Sequence, residues 1–189
     1  MSTVKPPKVK PSSDTCENYP NLLAKYFNQK ALNMVWVYDC TYVRVANRFY
    51  YICAILDLYS RKVIACRVGS KIDHFLAIDT LYDAVKSRKI SSGVLFHTDR
   101  GSQFTSADSR KEIDKFHMIQ SFSAKGHPYD NAVMECFFKY LKKEELNRRS
   151  FQSLEHLKLS LTSYIAGFYN SICPHSHNHS LSPNQFENL

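Results

Sequence analysis

This sequence predicts an α/β domain: a mixed five-stranded sheet, its first three strands antiparallel, flanked by helices on both faces. Three observations carry that expectation. Consecutive runs rich in β-branched and aromatic residues fill positions 34–70 and are joined by short turns. The hydrophobic period then changes from strand-like to helix-like. After that change, short apolar runs alternate with helical segments as far as the C-terminus.

The first three runs are MVWVYDCTYVRV, RFYYICAILDL and KVIACRVGS, with Ala46-Asn47 and Tyr59-Ser60-Arg61 marking the turns. Connections this short pair neighbouring strands antiparallel, so the three form a meander. Phe75, Ile78, Tyr82 and Val85 recur at helical spacing and predict an amphipathic helix over roughly 73–88, with these residues as its apolar face. Gly93-Val94-Leu95-Phe96-His97 reads as a short buried strand. Thr105 or Ser106 can cap the next helix, with Asp108 in its first turn. Met118 to Phe122 is the fifth strand, and residues 123–128 form a loop with a flexible glycine at 126. Two helices, about 129–146 and 153–169, close the chain. The second places Leu154, Leu157, Leu161, Ile165 and Phe168 on one face. No internal repeat is visible.

At 189 residues the chain has room for one domain with a sizeable core. Hydrophobic residues at 44% and charged residues at 22% are normal for a folded chain and argue against disorder. No run of about 18 apolar residues could span a membrane. The opening MSTVKPPKVKP has no apolar stretch behind its charges, so no secretory signal is expected and the cytosol is the expected location. Lys5, Lys8 and Lys10 among prolines make residues 1–32 a basic linker or tail, leaving 33–189 as the compact domain. A net charge of +8 favours a polyanionic partner, nucleic acid above all. The six cysteines show no C-x-x-C pair and no regular framework, and are expected to be reduced thiols.

Three carboxylates stand out. Asp39 lies inside the first strand, where a short polar side chain competes for backbone hydrogen bonds; an exposed strand face is the plain explanation. Asp99 follows the strand at 93–98, the usual position of a site residue in an open α/β sheet, though Asp-x-Gly is also a common turn. Glu135 lies off the core face of its helix, which Met134, Phe137, Phe138 and Leu141 account for. With Lys139 and Lys142 it forms a separate stripe, either a solvated face or a carboxylate followed by two phosphate-binding cations.

Together with their flanking words these acids are more specific. W-V-Y-D-C-T-Y (36–42), D-L-Y-S-R (57–61), F-H-T-D-R-G-S-Q-F (96–104), K-G-H-P-Y-D-N-A-V-M-E-C-F-F-K-Y-L-K (125–142), F-Y-N (168–170) and L-S-P (181–183) resemble the DDE transposase and retroviral integrase superfamily. The likeness spans about 33–187 and is greatest to bacterial insertion-sequence transposases made by programmed frameshifting. It departs from the family pattern at Tyr38 and Cys40, where threonine and isoleucine are frequent, and at Cys173, where an arginine is common.

The resemblance implies a ribonuclease-H-like fold and a catalytic domain that cleaves phosphodiesters at element ends, then joins the freed 3′-hydroxyl to target DNA. It implies Asp39, Asp99 and Glu135 as catalytic ligands of two Mg²⁺ or Mn²⁺ ions, Asp39 bridging the pair. Hard cations of this kind take oxygen ligands, and a pair of them activates the nucleophile and stabilises the leaving oxygen. DNA is the implied partner, with a homo-oligomer in the complex, no membrane, and a bacterial cytoplasmic, nucleoid-associated location. Lys139, Lys142, Asn131, Gln103 and His97 are the candidate DNA contacts. For His97 a packing role, and for Gln103 and Asn131 local backbone satisfaction, are the competing explanations. Asp57 is expected to form a turn and Asp130 to favour a helix dipole. Cys173, His175, His177 and His179 could hold Zn²⁺ or Ni²⁺, but alternate spacing points ligands one way rather than around a tetrahedron. Residues 1–31 are too short and proline-rich for the family's helix-turn-helix region, so the chain is expected to be core plus linker. A DNA-binding remnant without turnover and a ribonuclease-H-like nuclease are the alternative functions.

Overall fold

The computed structural model describes residues 20–90, 93–124 and 126–189. Its sheet has five strands: β1 (Val35–Val45), β2 (Arg48–Asp57), β3 (Val63–Gly69), β4 (Leu95–Thr98) and β5 (Ile119–Phe122). Their order is β3-β2-β1-β4-β5, the first three antiparallel and the last two parallel to β1. Strand alternation sends Val35, Val37, Val43 and Val45 of β1 into one core while Trp36 and Tyr38 enter the other. Helices α4 (Ala132–Glu144) and α5 (Leu154–Thr162) cover the first face. Helices α1 (His74–Ser87), α2 (Ser102–Thr105) and α3 (Ala107–Lys115) belong to the second.

Two helices bury a different face from the one their periodicity suggests. In α1 the residues against the sheet are Ala77, Thr80, Leu81 and Ala84, whereas Phe75 and Tyr82 are 67% and 44% exposed. Two alanines let this helix approach the sheet closely. The Tyr82 hydroxyl instead donates to Glu112 at 2.6 Å, and its ring meets Phe116 of the α3 end. In the last long helix, α-helical bonding stops at Thr162 and a π-helix continues from Ser163 to Tyr169. The wider turn carries Tyr169 into the core and leaves Phe168 39% exposed.

The stretch expected as a linker through residue 32 is anchored to the domain at Asn21–Leu23, while most of residues 24–31 are exposed. Leu23 is buried in the core, the Leu22 and Leu23 N–H groups donate to Ser121 Oγ, and Asn21 Nδ2 donates to Asp130 Oδ2 at 2.8 Å. Residues 1–19 of the expected linker lie outside the described residues. The cysteine expectation also changes. The β1–β2 register sets Cys40 opposite Cys53 with Cα atoms 4.2 Å apart, and the pair is a disulfide rather than two thiols. A spacing of 13 in the sequence conceals a cross-strand neighbour that only the hairpin register reveals. Cys66, Cys136 and Cys173 are free.

A short helix, α6 (Pro183–Glu187), opens with a Ser182–Gln185 capping box and clasps the C-terminus to the sheet. The Glu187 carboxylate accepts from Ser60 Oγ at 2.7 Å, Lys62 Nζ at 2.8 Å and Arg88 Nη2 at 2.5 Å. Burial by itself would raise this carboxyl, but the donors from Arg88, Lys62 and Ser60 outweigh it and hold it below its ordinary value. A carboxyl depressed by folding stabilises the protein above its unfolded pKa, and that contribution fades as pH falls through the folded value. Glu187→Gln is therefore expected to cost about 1–3 kcal/mol at pH 7 in urea unfolding, with the gap to wild type closing as pH falls through the lowered range of this carboxyl.

Candidate active site

Pairing between β1 and β4 ends at Val37–His97, after which the two strands part and leave a fork at the carboxyl end of β4. Asp39 stands on β1 just past the last pair, and Asp99 follows β4 by one residue. A crevice at such a switch in sheet order is where open α/β sheets place their ligands. α4 starts beside this fork after a 3₁₀ turn, Pro128–Asn131, and carries Glu135 in its first turn. The three acids line one cleft of about 420 Å³ with Asn131, Arg100, Ser123 and His127.

Local hydrogen bonds hold these groups. The Cys40 N–H donates to Asp39 Oδ1 at 2.7 Å, and the Gly101 N–H donates to Asp99 Oδ1 at 3.0 Å. Arg100 Nε donates to the Ser123 carbonyl at 3.0 Å, joining the two loops that wall the cleft. Asn131 Nδ2 donates to the Tyr38 carbonyl at 3.1 Å, tying the start of the Glu135 helix to the strand beside Asp39. Burial, then the Asp99 charge, then the more distant Glu135 push Asp39 up to about 7, against the Cys40 N–H and Lys142. Burial likewise raises Asp99, opposed by the Gly101 N–H. Like charges crowded in a poorly hydrated cleft favour protonation or a cation.

The donor chemistry suits a hard divalent cation. Three carboxylates face the cleft, and Asn131 Oδ1 is a buried oxygen without a hydrogen-bond partner. Among the described residues, no three His, Cys, Asp or Glu side chains close on a single point, so the acids line the cleft rather than form a cage.

The other candidate residues divide. Asn131 lines the cleft with its amide nitrogen committed to Tyr38. Lys139 is exposed on α4, and Lys142 holds its Nζ 5.0 Å from the centre of the Tyr42 ring. His97 is fully buried, with Nδ1 2.9 Å from Ser121 Oγ and Nε2 3.1 Å from Ser123 Oγ, so it cannot reach DNA. Burial lowers its pKa to about 4, and the ring is neutral at ordinary pH. Gln103 is 5% exposed, and its amide folds back over Gly101, where any Cβ would collide with it. Packing takes precedence over DNA contact for both side chains.

Asp57 forms a turn, accepting from the Asn33 and Tyr59 N–H groups. Asp130 does more than meet a helix dipole: its Oδ2 accepts from Asn21 and from the Ala124 N–H, pinning the cleft loop. The C-terminal histidines go separate ways, His177 to Arg61 and the Tyr59 carbonyl, His175 against the Tyr169 ring, and His179 beside Phe186. Sequence reasoning missed Arg100, Ser123 and His127 as cleft residues. The adjacency of Arg100 to Asp99 was the signal within reach, whereas the other two arrive through a loop whose path is tertiary.

A mixed β3-β2-β1-β4-β5 sheet with acids at the β1/β4 fork defines the ribonuclease-H-like class of catalytic cores. Within that class, the family model described as "Integrase core domain" matches residues 29–128, and a second of the same description matches 135–189. The chain belongs to the integrase core domain family. It is 39% identical over 168 residues to the InsF transposase for insertion sequence IS3A of Escherichia coli (strain K12), covering 89% of this chain. The chain spans 58% of that relative's length. Among solved structures it is similar to a chain of the simian T-cell lymphotropic virus intasome in complex with PP2A regulatory subunit B56 gamma. There the TM-score is 0.66 at 16% identity, over 86% of this chain and 57% of that one. It is also similar to the HTLV-2 integrase catalytic core domain in complex with magnesium, with a TM-score of 0.56 at 16% identity, over 82% and 97%. No described helix is long and apolar enough to cross a membrane.

Proposed function

We propose that this chain is the catalytic domain of a DNA transposase that cleaves phosphodiesters at element ends and transfers the freed 3′-hydroxyl to target DNA. The single observation that carries this reading is the cleft shared by Asp39, Asp99 and Glu135, in a chain of the integrase core family. These three acids would hold two Mg²⁺ or Mn²⁺ ions, which supply activation of water or a 3′-hydroxyl and stabilisation of the leaving oxygen. The chain's own part is to keep the acids in place: Asn131 braces α4 against β1, and the Arg100–Ser123 contact holds the cleft loops together. DNA is the proposed substrate. A homo-oligomer in the DNA complex is part of this reading, supported by the dimeric form of the HTLV-2 integrase core, as is a bacterial cytoplasmic, nucleoid-associated location.

The deciding experiment compares strand nicking of duplex DNA and of an RNA–DNA hybrid, with Mg²⁺ and with EDTA. Metal-dependent nicking of duplex DNA is expected. Cleavage restricted to the hybrid would move the assignment to a ribonuclease H. No cleavage with retained DNA binding would identify a remnant.

Lys139 and Lys142 lie one and two turns beyond Glu135 on α4, while Phe137, Phe138 and Leu141 are buried. A strand whose phosphate reaches the acids would follow this stripe. Lys139→Ala combined with Lys142→Ala is expected to flatten the slope of log affinity against log salt by up to about 1.8 on duplex DNA, at ~0.9 per phosphate contact. Unfolding stability should change by less than about 1 kcal/mol. An unchanged slope would place the DNA elsewhere.

A further inference from the structure

The largest hollow near the acids is not their own cleft. A groove of about 950 Å³ runs between the β1–β2 hairpin and the segment that follows α4. Its lining brings together Tyr42, Arg44, Phe49, Lys142, Arg149 and Gln152, and it contains no carboxylate. Arg149 meets Glu145 at 2.8 Å outside the groove lining, and Arg44 Nε donates to the Ala46 carbonyl at 3.2 Å. Glu145 balances the Arg149 charge, so Arg44 and Lys142 are the cations that give this hollow a positive wall.

Its second character is aromatic. Tyr42 is 41% exposed, and its ring stands edge-to-face with Phe49 at 5.7 Å. The Lys142 ammonium lies over the Tyr42 ring at 5.0 Å, an arrangement in which a ring face attracts a cation. With Lys142 on one face of a partly exposed ring, the remaining exposed surface of Tyr42 suits a nucleic-acid strand whose bases are free to stack. Bases inside a duplex already cover one another and cannot use such a platform.

The groove neighbours the acidic cleft along β1 and α4, with no described residue lining both. Asp39 and Tyr42 are three residues apart on β1, about 10 Å at 3.3 Å per residue. Glu135 and Lys142 are two turns apart on α4, again about 10 Å. Lys142 lines the groove from α4, the helix that also carries Glu135.

We propose that this groove binds an unpaired single-stranded stretch of the DNA whose phosphodiester lies at the acids, stacking a base on Tyr42 and pairing its phosphates with Arg44 and Lys142. The proposal rests on the transposase reading for the identity of the strand, but its test does not need cleavage.

The test measures fluorescence anisotropy of two labelled DNAs at one salt concentration, without divalent metal. One is a blunt duplex; the other is the same duplex with a five-nucleotide single-stranded tail. Wild type is expected to bind the tailed DNA more tightly. Tyr42→Ala and, separately, Arg44→Glu should each remove that preference, lowering affinity for tailed DNA by about five- to a hundredfold for the ring. Blunt duplex binding should stay within about threefold. Tyr42→Phe keeps the ring and should keep the preference. Arg44 is exposed on β1, so its variant reports even if Tyr42→Ala fails to fold. Equal binding of both DNAs by wild type, or variants that weaken both equally, would overturn the groove assignment. A chain that prefers tailed DNA yet never nicks with Mg²⁺ would retain the groove and lose the catalytic reading. One that nicks without the preference would lose the groove alone.

Discussion

Asp99→Asn is expected to abolish Mg²⁺-dependent strand nicking, by at least about a hundredfold, while leaving the fold and DNA binding in place. Changing a group one shell removed from a metal costs 10–100-fold as a rule, so a direct ligand should cost no less. Asp39→Asn and Glu135→Gln should do the same. The amide keeps the shape and the hydrogen bonds from the Cys40 and Gly101 N–H groups but removes a negative oxygen. A second readout separates this from structural damage. Asp39 and Asp99 are half-buried acids, desolvation opposes the ionisation of both, and the Asp99 charge further opposes that of Asp39. Neutralising one should therefore leave the metal-free melting temperature unchanged or higher, and should abolish stabilisation by added Mg²⁺ or Mn²⁺. Near-normal nicking by Asp99→Asn would remove that residue from the site.

Phe137→Ala is expected to cost about 3–5 kcal/mol of folding stability, the usual range for truncating a fully buried phenylalanine. Phe137 is 2% exposed and sits between Phe138 and the Tyr169 ring of the π-helix, at 5.1 and 5.0 Å. It holds α4, and with it Glu135, against the C-terminal helices. Urea unfolding would read the loss directly. Nicking should fail at 37 °C and recover in part at lower temperature, because the defect is in folding and not in the acids. A variant as stable as wild type would mean that the core closes over the cavity by another route.

Much of this architecture was legible before any coordinates. Strands declare themselves through dense β-branched and aromatic residues, and β1 to β5 fall within a residue or two of their expected limits. The Ser106 cap, the Asp57 turn and the order of elements are equally local properties. Helix faces were less legible. In α1 two apolar stripes one residue apart compete, and packing against β3 chose the one with small side chains. In the last helix the change to π geometry was invisible, because no residue type marks where a helix widens.

The candidate site divides along the same line. Asp39, Asp99 and Glu135 each have a plain local explanation, and only the flanking words and the family resemblance those words carry single the three out together. The fates of His97 and Gln103 depend instead on what lies opposite: Ser121 and Ser123 across β5 for one, the bare Gly101 backbone for the other. Cys40 meets Cys53 only through strand register, and Asn21 meets Asp130 only through a chain path of more than a hundred residues. Strand and helix formation rests on interactions among near neighbours in the chain and the sign of the charge on composition, so the sequence by itself determined them. Which polar groups face the cleft and which are consumed by packing is settled by contacts between distant segments, whose partners exist only once the sheet has closed. That was left to the tertiary structure.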